Sequence, residues 1–244
     1  MEQLFGKILS AVSGAFEGLV QTFIDDFIVE NRWRYLVNGL GVTIKVALLS
    51  AVFGIILGAI VAVIRSSHDK TGKLKFLNLL CKIYTTVIRG TPIVLQLMII
   101  YFIVFGSVKI DKSLVAIIAF SINSGAYVSE IIRSGIMSVD NGQLEAGRSL
   151  GFGFVQTMWY VIIPQAIKNV LPALANEFIT LLKETSVVGY IALEDLTRGG
   201  DIIRSITFDA FMPLIAVALI YLGMVCLLSA GVARLERRLR ASER

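Results

Sequence analysis

The stretch VALLSAVFGIILGAIVAVI, from Val46 to Ile64, holds nineteen residues without a single charge. A helix of that length reaches roughly 28 Å, close to the thickness of a bilayer's hydrocarbon core. Inside lipid every backbone N–H and C=O must find a partner within the protein, so such a run can only be a helix or part of a closed barrel. Further apolar stretches at 92–108, 113–132, 171–182 and 208–233 extend the pattern to about five transmembrane helices, an all-α membrane protein. Composition agrees, with 56% hydrophobic and only 17% charged residues, where soluble domains carry about 25% charge.

Lysine and arginine set the orientation, because short cytoplasmic loops hold an excess of them. Residues 65–91 contain Arg65, Lys70, Lys73, Lys75, Lys82 and Arg89, and the C-terminal tail adds Arg234, Arg237, Arg238, Arg240 and Arg244. With both inside, the loop carrying Arg133, Arg148 and Lys168 is inside too, which gives fourteen positive charges against eight on the other face. Five spans then put the C-terminus in the cytoplasm and the N-terminus outside.

Residues 1–33 form a separate N-terminal segment ahead of the membrane-spanning body at 34–244. Leu4, Phe5, Ile8, Leu9, Val12, Phe16, Leu19, Val20 and Phe23 recur at helical steps, with Glu17, Asp25 and Asp26 between them. That pattern predicts an amphipathic helix lying in the membrane interface rather than crossing it. Without a basic start or an unbroken apolar centre it does not read as a cleaved signal.

Several function classes are excluded. The net charge of +5 is not gathered into a basic stripe with interleaved aromatics, so no nucleic acid is expected as partner. Cys81 and Cys226 have no CxxC or Cys/His spacing, and His68 sits alone among charges, so neither a metal nor a disulfide framework is expected. There is no Gly-x-x-x-x-Gly-Lys-Ser/Thr loop, so no phosphate cradle for ATP and no cofactor is expected in this chain. An ion-coupled transporter would need a proton or ion relay that one histidine and a few acids hardly supply. An enzyme would need a nucleophile elbow or paired carboxylates, and neither spacing is present.

Between the third and fourth stretches stands a long loop at about 140–164, containing GQLEAGRSLGFGFVQTMWYVIIPQ. Small residues surround one acid, Glu145, and the order of signals is a short helix, a glycine turn and a helix begun at a proline. A helix of this kind at the cytoplasmic surface suits insertion into a groove on another protein. Glu145, Ala146, Gly147, Gly151 and Pro164, with Val161 to Ile163 before the proline, keep the spacing of one family motif. That motif runs Glu-Ala-Ala, three residues, Gly, nine residues, then Ile-x-Leu-Pro. In it the chain resembles the membrane permease subunits of bacterial ABC importers. GLGVTIKVALLSAVFG at 39–54, IRGTPIVLQLMIIYF at 88–103, INSGAYVSEIIRSGI at 122–136 and LLKETSVVGYIALEDL at 181–196 resemble the polar amino-acid branch. The resemblance spans about 34–238 and departs from the motif at Gly147, Val161 and Ile163.

This resemblance implies a transport subunit rather than an enzyme. A second permease, identical or paralogous, would complete the path, two cytoplasmic ATPase subunits would power it, and an extracellular binding protein would deliver substrate. The helix at Glu145 to Gly151 would be the coupling helix, docking in a cleft of the ATPase.

Polar residues inside spans are costly and nominate a substrate site. Asn123, Tyr127 and Glu130 share a face of the third span, with Ser124 nearby, and Asn176 and Glu177 lie in the fourth. The expected substrate-binding set is Glu177, Asn176, Asn123, Ser124 and Tyr127, with Glu177 able to favour a cationic amino acid. Glu130 has Arg133 three residues on and reads rather as one half of an ion pair near the cytoplasmic end than as a ligand. Gly54 and Gly58 form a Gly-x-x-x-Gly step, a signal of close helix packing.

Overall fold

The computed structural model describes residue 14 and residues 17–241. Among the described residues the regular structure is helical throughout, and from Trp33 onward it comprises nine α-helices. These are α1 (Trp33–Thr71), α2 (Lys75–Arg89), α3 (Ile93–Ile99), α4 (Lys112–Met137), α5 (Asn141–Ser149), α6 (Phe154–Thr157), α7 (Ile163–Glu184), α8 (Leu196–Thr207) and α9 (Phe211–Ala241). A widened turn, Ile100–Val104, prolongs α3, and another, Met158–Ile162, joins α6 to α7. Pro164 follows the second of these; it cannot donate an N–H and its ring crowds the carbonyl four residues back, which loosens the ladder there.

Three helices, α1, α4 and α9, are each long and apolar enough to cross a membrane. They contain the first and third expected spans and all of the fifth from Phe211 onward. The second expected span, 92–108, is the last part of a bent pair in which α2 and Ile93–Val104 meet at 107°. The segment 65–91, expected as a charged loop, is therefore largely helix: α1 runs on to Thr71 and α2 fills Lys75–Arg89. Gly72 separates them at φ 68°, a left-handed position that a glycine adopts without strain, and its N–H donates to the His68 carbonyl at 2.8 Å. The fourth expected span lies within α7, whose 22 residues reach about 33 Å. It carries Lys168, Glu177, Lys183 and Glu184, so its hydropathy is the weakest of the set.

Helix α4 is the centre of the molecule: 67% of its most apolar stretch is buried, against 11% for α9. It packs along α1, and glycine makes that contact possible. A Cβ on Gly58 would stand 2.7 Å from Val128 Cβ, and one on Gly54 would stand 3.1 Å from Ser124 Cβ. The Gly-x-x-x-Gly step thus marks the α1–α4 seam, as its spacing predicts. Val46, Leu97, Phe120, Leu181 and Ile191 pack into one cluster that joins α1, α3, α4 and α7. A second cluster, Phe27, Leu36, Leu196, Ile203 and Val217, ties α8 and α9 to the start of α1.

Helix α8 begins at a well-formed cap. Asp195 is fully buried and accepts from the Arg198 and Thr197 amides at 2.9 and 3.2 Å. Burial pushes its carboxyl above the usual range, and those two amides pull it partly back. The Leu196 amide donates to Thr43 Oγ1 at 3.1 Å, fastening the cap to α1.

Of the expected N-terminal amphipathic helix, Leu4 to Phe16 lie outside the described residues. Leu19, Val20, Phe23 and Ile24 are exposed, whereas Phe27 is buried.

Candidate functional site

The expected coupling loop folds as α5 followed by a glycine turn. Asp140 caps α5 by accepting from the Gly142 amide at 2.6 Å. Glu145 and Ala146 are exposed on it, while Gly147 is buried. The reason is Thr157, whose Cγ2 and Oγ1 occupy the space beside Gly147: a Cβ there would lie 2.5 Å from Cγ2. Thr157 donates to the Gly153 carbonyl at 3.1 Å, and the Gly153 amide donates to Gln156 Oε1 at 2.9 Å. Gly151 sits at φ 90°, in the left-handed region that disfavours a side chain. Beneath the loop, Ile136, Val139, Ile162 and Ala166 form a small core. Around it, Leu150, Val155, Trp159 and Tyr160 are all at least 65% exposed. In a membrane chain, exposed apolar side chains of this kind meet either lipid or another subunit. Pro164 is exposed in the first turn of α7.

Among the expected substrate-site residues, the structure brings Ser124 and Glu177 together: Ser124 Oγ donates to Glu177 Oε1 at 3.4 Å across the α4–α7 seam. A cleft of about 420 Å³ opens farther along the same two helices, lined by Glu130, Ser134, Asn169 and Ala173. Asn123, one residue from Ser124, faces elsewhere. Its side-chain amide donates to Gln96 Oε1 at 3.0 Å. Gln96 in turn donates to the Ile88 carbonyl at 2.7 Å and to Thr91 Oγ1 at 2.8 Å, so it binds the Arg89–Pro92 bend to α4. Tyr127 stands beside the Arg89 guanidinium, 5.4 Å from ring centroid to Cζ. Asn176 is exposed and donates to the Pro172 carbonyl at 3.1 Å.

Gln96 is the residue that sequence reasoning passed over. A single amide inside an apolar helix is expensive unless bonded, and that cost was its readable signal.

Glu130 belongs to an ion cluster. Arg65 of α1 pairs with one of its oxygens and Arg133 holds the other at 3.2 Å; Arg89 stands 3.9 Å away. Arg133 also reaches Asp69 at 3.2 Å. The ion-pair reading of Glu130 thus extends well beyond its neighbour three residues away: the cluster joins the ends of α1, α2 and α4.

Comparison with known proteins places this arrangement. Residues 54–241 match the model of the family described as "Binding-protein-dependent transport system inner membrane component". The chain is 39% identical over 211 residues to the arginine transport system permease protein ArtQ of Bacillus subtilis, covering 86% of this chain and 94% of that protein. It is 36% identical over 208 residues to the glutamine transport system permease protein GlnP of Escherichia coli, covering 84% and 93%. Among solved structures it is similar to a chain of an amino acid ABC transporter crystallised with histidines. That match has a TM-score of 0.79 and 43% identity, over 87% of this chain and 98% of the other. A family match over most of the chain, on a helical fold that builds the expected coupling loop, leads to one conclusion: this chain belongs to the binding-protein-dependent transport system inner membrane components and is a multi-pass permease subunit of an ABC importer.

Proposed function

We propose that this permease carries polar amino acids into the cell, and that Glu177 recognises a cationic group on the substrate. The Ser124–Glu177 contact carries the reading, since it sets a carboxylate at the seam between two spans, where an ionisable group is costly unless a ligand or partner repays it. Glu184 lies seven residues farther along α7, two turns away on the same face, and adds to the acidity of that face. Names of relatives fit this class of cargo, since they include an arginine and a glutamine permease. Asn123 and Tyr127 act from behind, through Gln96 and Arg89, and Asn176 offers an exposed amide next to Glu177.

Transport is energised by two ATPase subunits that bind ATP and Mg, docking against the exposed Glu145 and Ala146 on the cytoplasmic side, with Gly147 and Gly151 shaping the helix and its turn and Pro164 fixing the return into α7. A second permease, the same chain or a paralogue, completes the path, and a binding protein delivers substrate to the outer face. The N-terminus lies outside and the C-terminus inside, and residues 1–33 rest in the interface ahead of the permease body at 34–244. Closure of the ATPases then moves the spans between inward-facing and outward-facing arrangements around a fixed site.

The test is reconstitution of the chain with its ATPase and binding protein in liposomes, with ATP hydrolysis followed as single amino acids are added. Stimulation by a basic amino acid, with its half-maximal concentration raised at least about tenfold in Glu177→Gln, is the expected result. Unchanged stimulation in that variant would discard Glu177 as a ligand, and transport driven by an ion gradient without an ATPase would discard the whole reading.

A further inference from the structure

Helix α2 has three different long edges. Cys81 and Thr85 are buried against the rest of the protein. Phe76, Leu79, Leu80, Ile83 and Val87 form an apolar stripe in which each side chain is 47–71% exposed. Between these two edges runs a line of cations: Lys75, Lys82 and Arg89 stand seven residues apart. Each step is about 10.5 Å along the axis and turns only about 20°, so the three charges form a nearly straight row.

The acids of this region are already engaged. Glu130 is held by Arg65 and Arg133, and Asp69 by Arg133. Arg89, at the end of the row, faces Glu130 and Tyr127. Lys75 and Lys82 are exposed and have no carboxylate partner among the described residues, and Lys73 just before the helix is exposed as well.

The helix's direction matters as much as its charge. Its 15 residues span about 22 Å, too few to cross the core alone, and it turns 107° away from the segment that follows. A short helix with an exposed apolar stripe and a parallel cationic edge is built to lie along a bilayer interface, apolar side toward the acyl chains. We propose that α2 does so, and that Lys75 and Lys82 bind the headgroup phosphates of anionic phospholipids. Charge complementarity decides the occupant: an uncommitted cationic edge beside an apolar stripe fits a group with a negative head and an apolar tail. Cationic residues near a membrane surface each contribute about 1 kcal/mol toward anionic lipid.

The experiment uses the purified complex of this chain with its ATPase in detergent, titrated with phosphatidylglycerol or with phosphatidylcholine. Native mass spectrometry counts the bound lipid, so the result does not depend on which amino acid is carried. The complex is expected to prefer phosphatidylglycerol, and K75Q/K82Q is expected to lose affinity for it about thirty-fold while phosphatidylcholine binding and the ATPase rate in phosphatidylcholine nanodiscs stay the same. R234Q/R237Q removes the same charge from the end of α9 and should leave the preference intact. Should K75Q/K82Q fail to assemble, Lys82→Gln alone is expected to weaken binding about fivefold. A preference that survives the α2 substitutions, or that falls equally in R234Q/R237Q, overturns the proposal.

Discussion

At Gly147 the family motif has alanine, and the reason for the exchange lies ten residues along the chain. Thr157 fills the volume a methyl group would need, so the two positions are sterically linked. Gly147→Ala alone should lower stability by about 1–3 kcal/mol through overpacking. Adding Thr157→Ser removes Cγ2 while keeping the hydroxyl that bonds Gly153, and most of that loss should be recovered. A double-mutant cycle on the thermal unfolding of the detergent-solubilised chain measures the coupling, and strictly additive effects would contradict it. On α8 the informative residue is Asp201. The Arg204 guanidinium, 2.6 Å away, holds its carboxyl below the usual carboxylate range, with Arg198 assisting. A depressed acid contributes stability above its unfolded pKa, near 3.9, and loses it as pH falls through the folded value. The stability gap between the wild type and Asp201→Asn should therefore be constant from about pH 5 to 8 and close below about pH 4. It will be small, because the pair is largely in water.

Among the elements, those whose signal is local in the chain were the most legible. Long apolar runs place α1 and α9 directly, because lipid forces such segments into helices, while the stretch that becomes α4 carries Asn123 and Glu130 and was the weaker signal. The expected coupling helix was legible through spacing, in small residues around one acid, a glycine turn and a proline, whereas its Asp140 cap appeared only in the structure. Helix α2 was hidden, because Lys75, Lys82 and Arg89 made its segment look like a loop when only a mean over hydropathy was considered. Its apolar residues do recur at three- and four-residue steps, and a test of periodicity rather than of mean hydropathy finds them. The substrate face was half legible. Composition picked out Ser124 and Glu177, which meet, but helical spacing alone could not show that neighbouring Asn123 turns toward Gln96 on another element. The α1–α4 seam gives the cleanest test at this scale. Gly58→Leu places side-chain atoms where Val128 and the Gly125 carbonyl already stand, and should lower the unfolding temperature markedly. Gly41→Leu, on the same helix but with nothing within 4 Å among the described residues, should leave it nearly unchanged.

As a whole, the molecule reads as a part of something larger. Helix α9 is barely covered, and the patch formed by Leu150, Val155, Trp159 and Tyr160 is open at the end where the coupling helix projects. Substitution of Gly151 by leucine forces a side chain into a left-handed turn, and Glu145→Trp adds bulk to the exposed face of α5. Both variants should insert into the membrane at normal levels and lose uptake, measured as labelled substrate in cells alongside chain abundance in membranes. Retained uptake would remove the docking role from this loop.

The ion cluster carries a consequence for how the chain is made. Arg65 pairs with Glu130, which lies 65 residues later in the sequence. At about 5–20 residues per second, a ribosome needs roughly 3–13 s to produce that acid after the arginine has been joined. Throughout that interval the guanidinium near the end of the first long helix has no Glu130 to pair with. The Arg65–Glu130 pair can therefore close only after α4 has been synthesised, which makes this cluster a late-formed contact of the chain.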